Sequence, residues 1–111
     1  MKNNKLPIAF FNGTVATTNG LYRISDIDLE SARKLVHENT YVSAIGHVAT
    51  AEILTDLLGV EIPFNRIQFA QAVTQKAIVF KLDDRPVEGV VLSREEVEKV
   101  GYSLKLMERL E

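Results

Sequence analysis

The chain begins and ends on strand patterns, and this bracket constrains the fold more than anything between. "KLPIAFFNG" reads as a short buried strand, Leu6 to Phe11, closed by the turn pair Asn12-Gly13. At the other end "YSLKLMERL" alternates Tyr102, Leu104 and Leu106 inward, as a strand with one buried face does. "LYRIS" and "KAIVFKL" add two more strands, and "NRIQFAQ" sets Ile67 and Phe69 against Arg66 and Gln68 in a third alternating run. The link around residues 72 to 76 has no clear turn signal.

Helical spacing interrupts these strands. In "DIDLESARKLVHEN" the residues Leu29, Ala32, Leu35 and Val36 fall on one face, with Ser25 or Asp28 able to cap the start and Asn39 near the end. "YVSAI" is a short apolar stretch leading into Gly46 and His47. From there Thr50, Ile53, Leu54, Leu57 and Leu58 line one face up to Gly59, a left-handed C-terminal stop. "SREEVEKVG" has the capping-box pair Ser93 and Glu96, with Gly101 past its end. Pro86 and Gly89 interrupt "DDRPVEGVVL", which reads as an exposed loop. Strands and helices do not alternate regularly. The expectation is therefore an α/β fold of α+β-like type: one domain over residues 1–111, with two or three helices packed on a mixed sheet of about five strands.

Composition narrows the function classes. A chain of 111 residues that is 46% hydrophobic and 25% charged is an ordinary globular protein with one core. No apolar run approaches the roughly 20 residues that span a bilayer, and the N-terminal apolar stretch is too short for a secretory signal. The expected setting is cytoplasmic, with no membrane partner. Cysteine is absent, and the two histidines, His37 and His47, lie on different elements, so neither a metal site nor a cofactor is expected. The net charge of -2, from 13 Lys and Arg against 15 Asp and Glu, speaks against long nucleic acid. A small, compact anion remains open, because a few local arginines can serve it.

The chemistry-bearing residues are few. On position alone, His47 at a helix start satisfies backbone groups or lies on the surface. The same geometry also suits a phosphate: free N–H groups point outward, Gly46 allows close backbone approach, and an imidazole there can exchange a proton with the ester. Arg66 is either a solvent-facing strand residue or a two-pronged phosphate donor. Arg85 and Glu88 share the loop and are either solvated or part of a site. "FFNGTVATTNG" lacks GxxxxGK[ST], which disfavours P-loop nucleotide chemistry.

Taken together, "FNG" near the start, "SAIGHVAT" opening a helix that closes on "LLG", then "NR", then "RPVEG", resemble the ring nucleases of type III CRISPR biology. That family includes viral anti-CRISPR proteins and their cellular relatives. The likeness runs from about Ile8 to Leu106, and "IGHxxT" followed by "NR" is its most specific part. It implies a homodimer that encloses cyclic tetra-adenylate at its two-fold interface and cuts it without metal. By the same likeness, the ribose 2′-OH attacks, His47 protonates the departing 5′-oxygen, and linear di-adenylate with a 2′,3′-cyclic phosphate is the product. Arg66 and Arg85 would hold phosphates, Glu88 would assist from the loop, and Asn12 and Thr50 match further ligand positions. Ala49 departs from relatives that carry a small hydroxyl residue there, and Lys81 stands where a neutral polar residue also occurs and adds a cation. Two other functions fit the residues: a module that binds or sequesters a cyclic oligonucleotide without turnover, and a small structural or interaction protein in which His47 is incidental.

Overall fold

Of the two residues able to cap the first helix, the fold uses Asp28. Its carboxylate accepts the Ser31 N–H at 2.7 Å, and helix α1 runs over Leu29–Glu38; Ser25 lies instead in strand β2, Tyr22–Asp26. The structure is a computed structural model that describes residues 6–12, 19–46, 48–65, 67, 69–82 and 94–111. Among them the remaining elements are β1 (Ile8–Asn12), β3 (Tyr41–Ser43), α2 (Val48–Leu58), β4 (Lys76–Leu82), α3 (Arg94–Val100) and β5 (Tyr102–Arg109). Gly13, Ser93 and the loop read over residues 83–92 lie outside the described residues. No described helix is long and apolar enough to cross a membrane.

The five described strands form one mixed sheet in the order β2-β5-β4-β1-β3. Strand β1 pairs in parallel with β3 and β4, while β5 runs antiparallel between β4 and β2. This is the single α+β domain that the irregular element order predicts. Helix α2 ends on Gly59 at φ 73, whose N–H returns to the Thr55 carbonyl at 3.0 Å, the left-handed stop expected of it. The Arg33 Nε of α1 donates to the Leu57 carbonyl at 2.7 Å, which satisfies a group that a helix end leaves open.

One face of the sheet carries the helices. Ile8, Phe10, Ile78, Phe80 and Leu104 pack there against Ala32 and Val36 of α1, the apolar face of α2 and Val97 of α3. A second cluster, Ala9, Phe11, Ala77, Val79 and Met107, is buried on the opposite face. Strands β1 and β4 are thus covered on both sides, and Ile8–Phe11 and Ala77–Phe80 read as continuous apolar runs, not alternating ones. The same fact corrects the reading of β5. Tyr102, Leu104 and Leu106 do share one side, opposite Leu82, Phe80 and Ile78. Only Leu104 among them is buried, while Met107 in the opposite phase is fully buried.

"NRIQFAQ" is not a strand, and the short apolar stretch "YVS" is. The Asn65 N–H donates to the Ile45 carbonyl at 2.9 Å, beyond the end of β3, and the Ile67 N–H turns back to the Asn65 carbonyl at 3.1 Å. No ladder forms, so the alternation of Ile67 and Phe69 reflects no pleat. Ile67 is 46% exposed, and Phe69 packs on the second face, its ring 5.8 Å from that of Phe11. Ile62 belongs to the helical cluster, so the chain passes here from one face of the sheet to the other, around the β3 edge.

The link into β4 is a tight turn, closed by the Gln75 N–H on the Ala72 carbonyl at 3.0 Å. Thr74 sits in it at φ 72, a left-handed conformation costly for a β-branched residue. The Gln75 side chain completes the turn, accepting the Ala72 N–H at 2.9 Å and donating to the Pro7 carbonyl at 2.8 Å. The strain is held by these neighbours and by the Thr74 N–H on the Arg109 carbonyl at 2.8 Å.

Two outcomes follow. Thr74→Asn relieves part of the roughly 1–2 kcal/mol left-handed penalty, because asparagine tolerates this region; calorimetry should show a melting temperature raised by a few degrees, whereas an unchanged or lower value would mean that Thr74 is not strained. At α1, the Ser31 backbone N–H and then its side chain hold the Asp28 carboxyl below the ordinary aspartate range. A folded-state pKa that is depressed contributes stability above the unfolded-state pKa, and the contribution is lost as pH falls through the folded value. Asp28→Ala therefore melts below the parent at pH 7, and the gap closes as pH falls from about 4 downward; a gap independent of pH would leave the cap without its charge.

Candidate functional site

The parallel strands β1, β3 and β4 end at Asn12, Ser43 and Leu82. The carboxyl ends of such strands are where α/β sheets place ligands. Helix α2 begins at Val48, directly after the segment Ala44–His47 that leaves β3. Its first turn holds no acidic residue, so no side chain there counters the free N–H groups and the positive end of the helix dipole. The arrangement suits an anion. It is the placement that "IGH" before an apolar helical face predicts, with Gly46 as the last described residue before the helix.

Of the expected site residues, Asn12, Thr50 and Lys81 are described, and His47, Arg66, Arg85 and Glu88 lie outside the described residues. Asn12 closes β1, exposed, in register with Phe80; Lys81 follows Phe80 on β4, also exposed. Neighbours in register do not make them neighbours in space. Asn12 shares its side of the sheet with Phe10, the helical side, whereas Lys81 shares the opposite side with Val79. Thr50 lies buried in the first turn of α2, with the helices. Asn12 and Thr50 therefore belong to one face and Lys81 to the other. Lys105, in register with Val79, is held in an ion pair with Asp26. Among the described residues no acid pairs with Lys81, which leaves its ammonium available.

The turn before α2 is held in a way the residue list misses. The Ser43 hydroxyl donates to the Pro63 carbonyl at 2.6 Å and accepts the Ile45 N–H at 3.2 Å. The Asn65 side-chain amide donates to the Ser43 carbonyl at 2.8 Å. Ser and Asn favour such bonds to nearby backbone. That chemistry is the only signal the sequence offers, since the partners lie about two dozen residues apart or less in chain order only by virtue of the fold.

A shallow groove of about 460 Å³ lies along the flank of α2. Its floor includes Ala51 and Ile62, half-exposed Phe64 stands in its wall, and Glu52, Asp56 and Glu61 line it. Three carboxylates make it repel phosphates, so it is not the anion site.

These features recur in known proteins. The chain is 38% identical over 108 residues to "Uncharacterized protein YddF" of Bacillus subtilis (strain 168), covering 96% of this chain and 100% of that protein. It is 39% identical over 84 residues to "Uncharacterized protein 26" of Sulfolobus islandicus filamentous virus (isolate Iceland/Hveragerdi), covering 75% of this chain and 71% of that one. It is 39% identical over 93 residues to "Uncharacterized protein ORF117" of Acidianus two-tailed virus, 81% of this chain and 80% of the viral one. B116 of Sulfolobus turreted icosahedral virus has the same fold, with a TM-score of 0.75 at 22% identity over 93% of this chain and 99% of that one. The STIV B116-like family profile matches residues 8–104, and the chain belongs to that family.

Proposed function

We propose that the protein is a dimeric, metal-independent ring nuclease that cuts cyclic tetra-adenylate and so switches off type III CRISPR signalling. The observation that carries the reading is the opening of α2 at the carboxyl ends of three parallel strands. "IGHVAT" stands at that opening, and no acid lies in the first helical turn. The motif likeness in "FNG", "IGHVAT", "NR" and "RPVEG" supplies the substrate class.

The reaction asks little of the protein. The 2′-hydroxyl oxygen attacks the adjacent phosphorus, the bond from phosphorus to the 5′-oxygen breaks, and the His47 imidazolium gives its proton to that oxygen. Each cut leaves a 2′,3′-cyclic phosphate and a free 5′-hydroxyl, and two cuts release two linear di-adenylates. One positioned general acid contributes roughly 10²- to 10⁴-fold. A substrate carrying its own nucleophile suits a chain with no cysteine and two histidines. Two-fold symmetry would set two copies each of Arg66 and Arg85 against four phosphates, with Glu88 assisting. Positive potential then need only be local, which reconciles an anionic ligand with a net charge of -2.

Incubation with cyclic tetra-adenylate in excess EDTA, followed by product separation, should yield di-adenylate with the cyclic phosphate at substoichiometric protein. Tight binding without turnover would make the protein a sequestering module, and no binding would sink the ligand. His47→Ala should bind the ring but lose on the order of 10²- to 10⁴-fold in rate; a parental rate removes His47 from the acid role. Sedimentation should report a dimer, and a monomer even with ligand present would overturn the shared site.

A further inference from the structure

We propose that Ser43 and Asn65 form a backbone clamp that sets His47 against Arg66, which makes both of them positioning residues of the site. The clamp's effect on rate rests on the ring-nuclease reading; its geometry does not. Four hydrogen bonds bind residues 43–45 and 63–65 to one another. The Ser43 Oγ donates to the Pro63 carbonyl and accepts the Ile45 N–H. The Asn65 Nδ2 donates to the Ser43 carbonyl, and the Asn65 N–H donates to the Ile45 carbonyl. Ser43 is only 3% exposed, so most of this network is withdrawn from water, where hydrogen bonds are stronger and costlier to break.

The two clamped stretches are the ones that lead into the candidate chemistry. His47 follows Ile45 by two residues, and Arg66 follows Asn65 directly. No other described contact joins the two segments this close to both residues. Covering the β3 edge would require only backbone pairing between the segments. The side chains of Ser43 and Asn65 add something more specific: each bonds to the opposite segment's main chain, so neither segment can slide past the other. A proton donor and a phosphate fork must act on the same phosphodiester, and a displacement of about 1 Å can cost 10²-fold in rate.

The chain's two histidines give a readout independent of activity. In an imidazole NMR titration of the full-length protein, Asn65→Ala and Asn65→Asp should shift the His47 resonances and its titration midpoint while leaving His37 in place. Asn65→Asp keeps size and the backbone bond and should fold where Asn65→Ala does not. Thr55→Val removes hydroxyl bonds to Ala51 and Ile62 in the neighbouring loop and should leave His47 unmoved; Ser43→Thr, which keeps the hydroxyl, should restore what Ser43→Ala loses. An unmoved His47 in the Asn65 variants overturns the clamp. With cyclic tetra-adenylate, the Asn65 variants should lose kcat by on the order of 10²-fold with KM little changed, and Asn65→Ala/His47→Ala should be no slower than His47→Ala alone. Additive losses would show that Asn65 does not act through His47. A parent protein that does not cleave the ring refutes the ring-nuclease reading, and the NMR result then decides the clamp by itself.

Discussion

Burial of the central strands on both faces governs the rest of the structure. Ala9, Phe10, Ala77, Ile78 and Val79 have no exposed surface, yet α1, α2 and α3 pack on the same side. The second face needs a cover too, and Phe69 in the segment before β4 contributes to it. Burying an apolar side chain contributes roughly 1.5–3 kcal/mol, so a chain with this many two-sided positions strongly favours any path that brings an aromatic group across. The route from α2 to β4 is set by that demand.

The crossing runs past β3, a sheet edge only three residues long. Edge strands leave unpaired backbone groups, and here the crossing segment takes them up with side chains and main chain alike. The Tyr41 hydroxyl donates to the Glu61 carbonyl at 2.7 Å, and Ser43 and Asn65 follow along the same edge. Core cover, edge protection and the shaping of the turn before α2 thus belong to one stretch of chain. A substitution in residues 61–65 is felt in all three.

The helices were legible because their signals are local. Asp28 lies three residues before the N–H it caps, and Gly59 and Gly101 directly follow the helices they end. The strands β1, β4 and β5 were legible for their apolar runs. "NRIQFAQ" misled because alternation marks two-sided exposure in a ladder, and this segment alternates without one; "YVS" was passed over because three residues carry too little pattern. The turn before β4 gave no signal because a threonine holds its left-handed position and Gln75 supplies the missing bonds. At the candidate site, the position of Gly46 at the mouth of α2 was readable. The roles of Ser43 and Asn65 were not, since only the fold brings them within reach of each other.

The pleat has one more effect at the strand ends. Asn12 and Lys81 stand side by side in register order but on opposite sides of the sheet, so a molecule touching both would lie across the rim as a rider sits a saddle, with no single face to rest on. Parity decides which side the cation takes. Adding or removing one residue of β4 ahead of Lys81 would move its ammonium to the helical side, so the length of that strand governs the charge on each flank of the rim as firmly as the identity of the residue does.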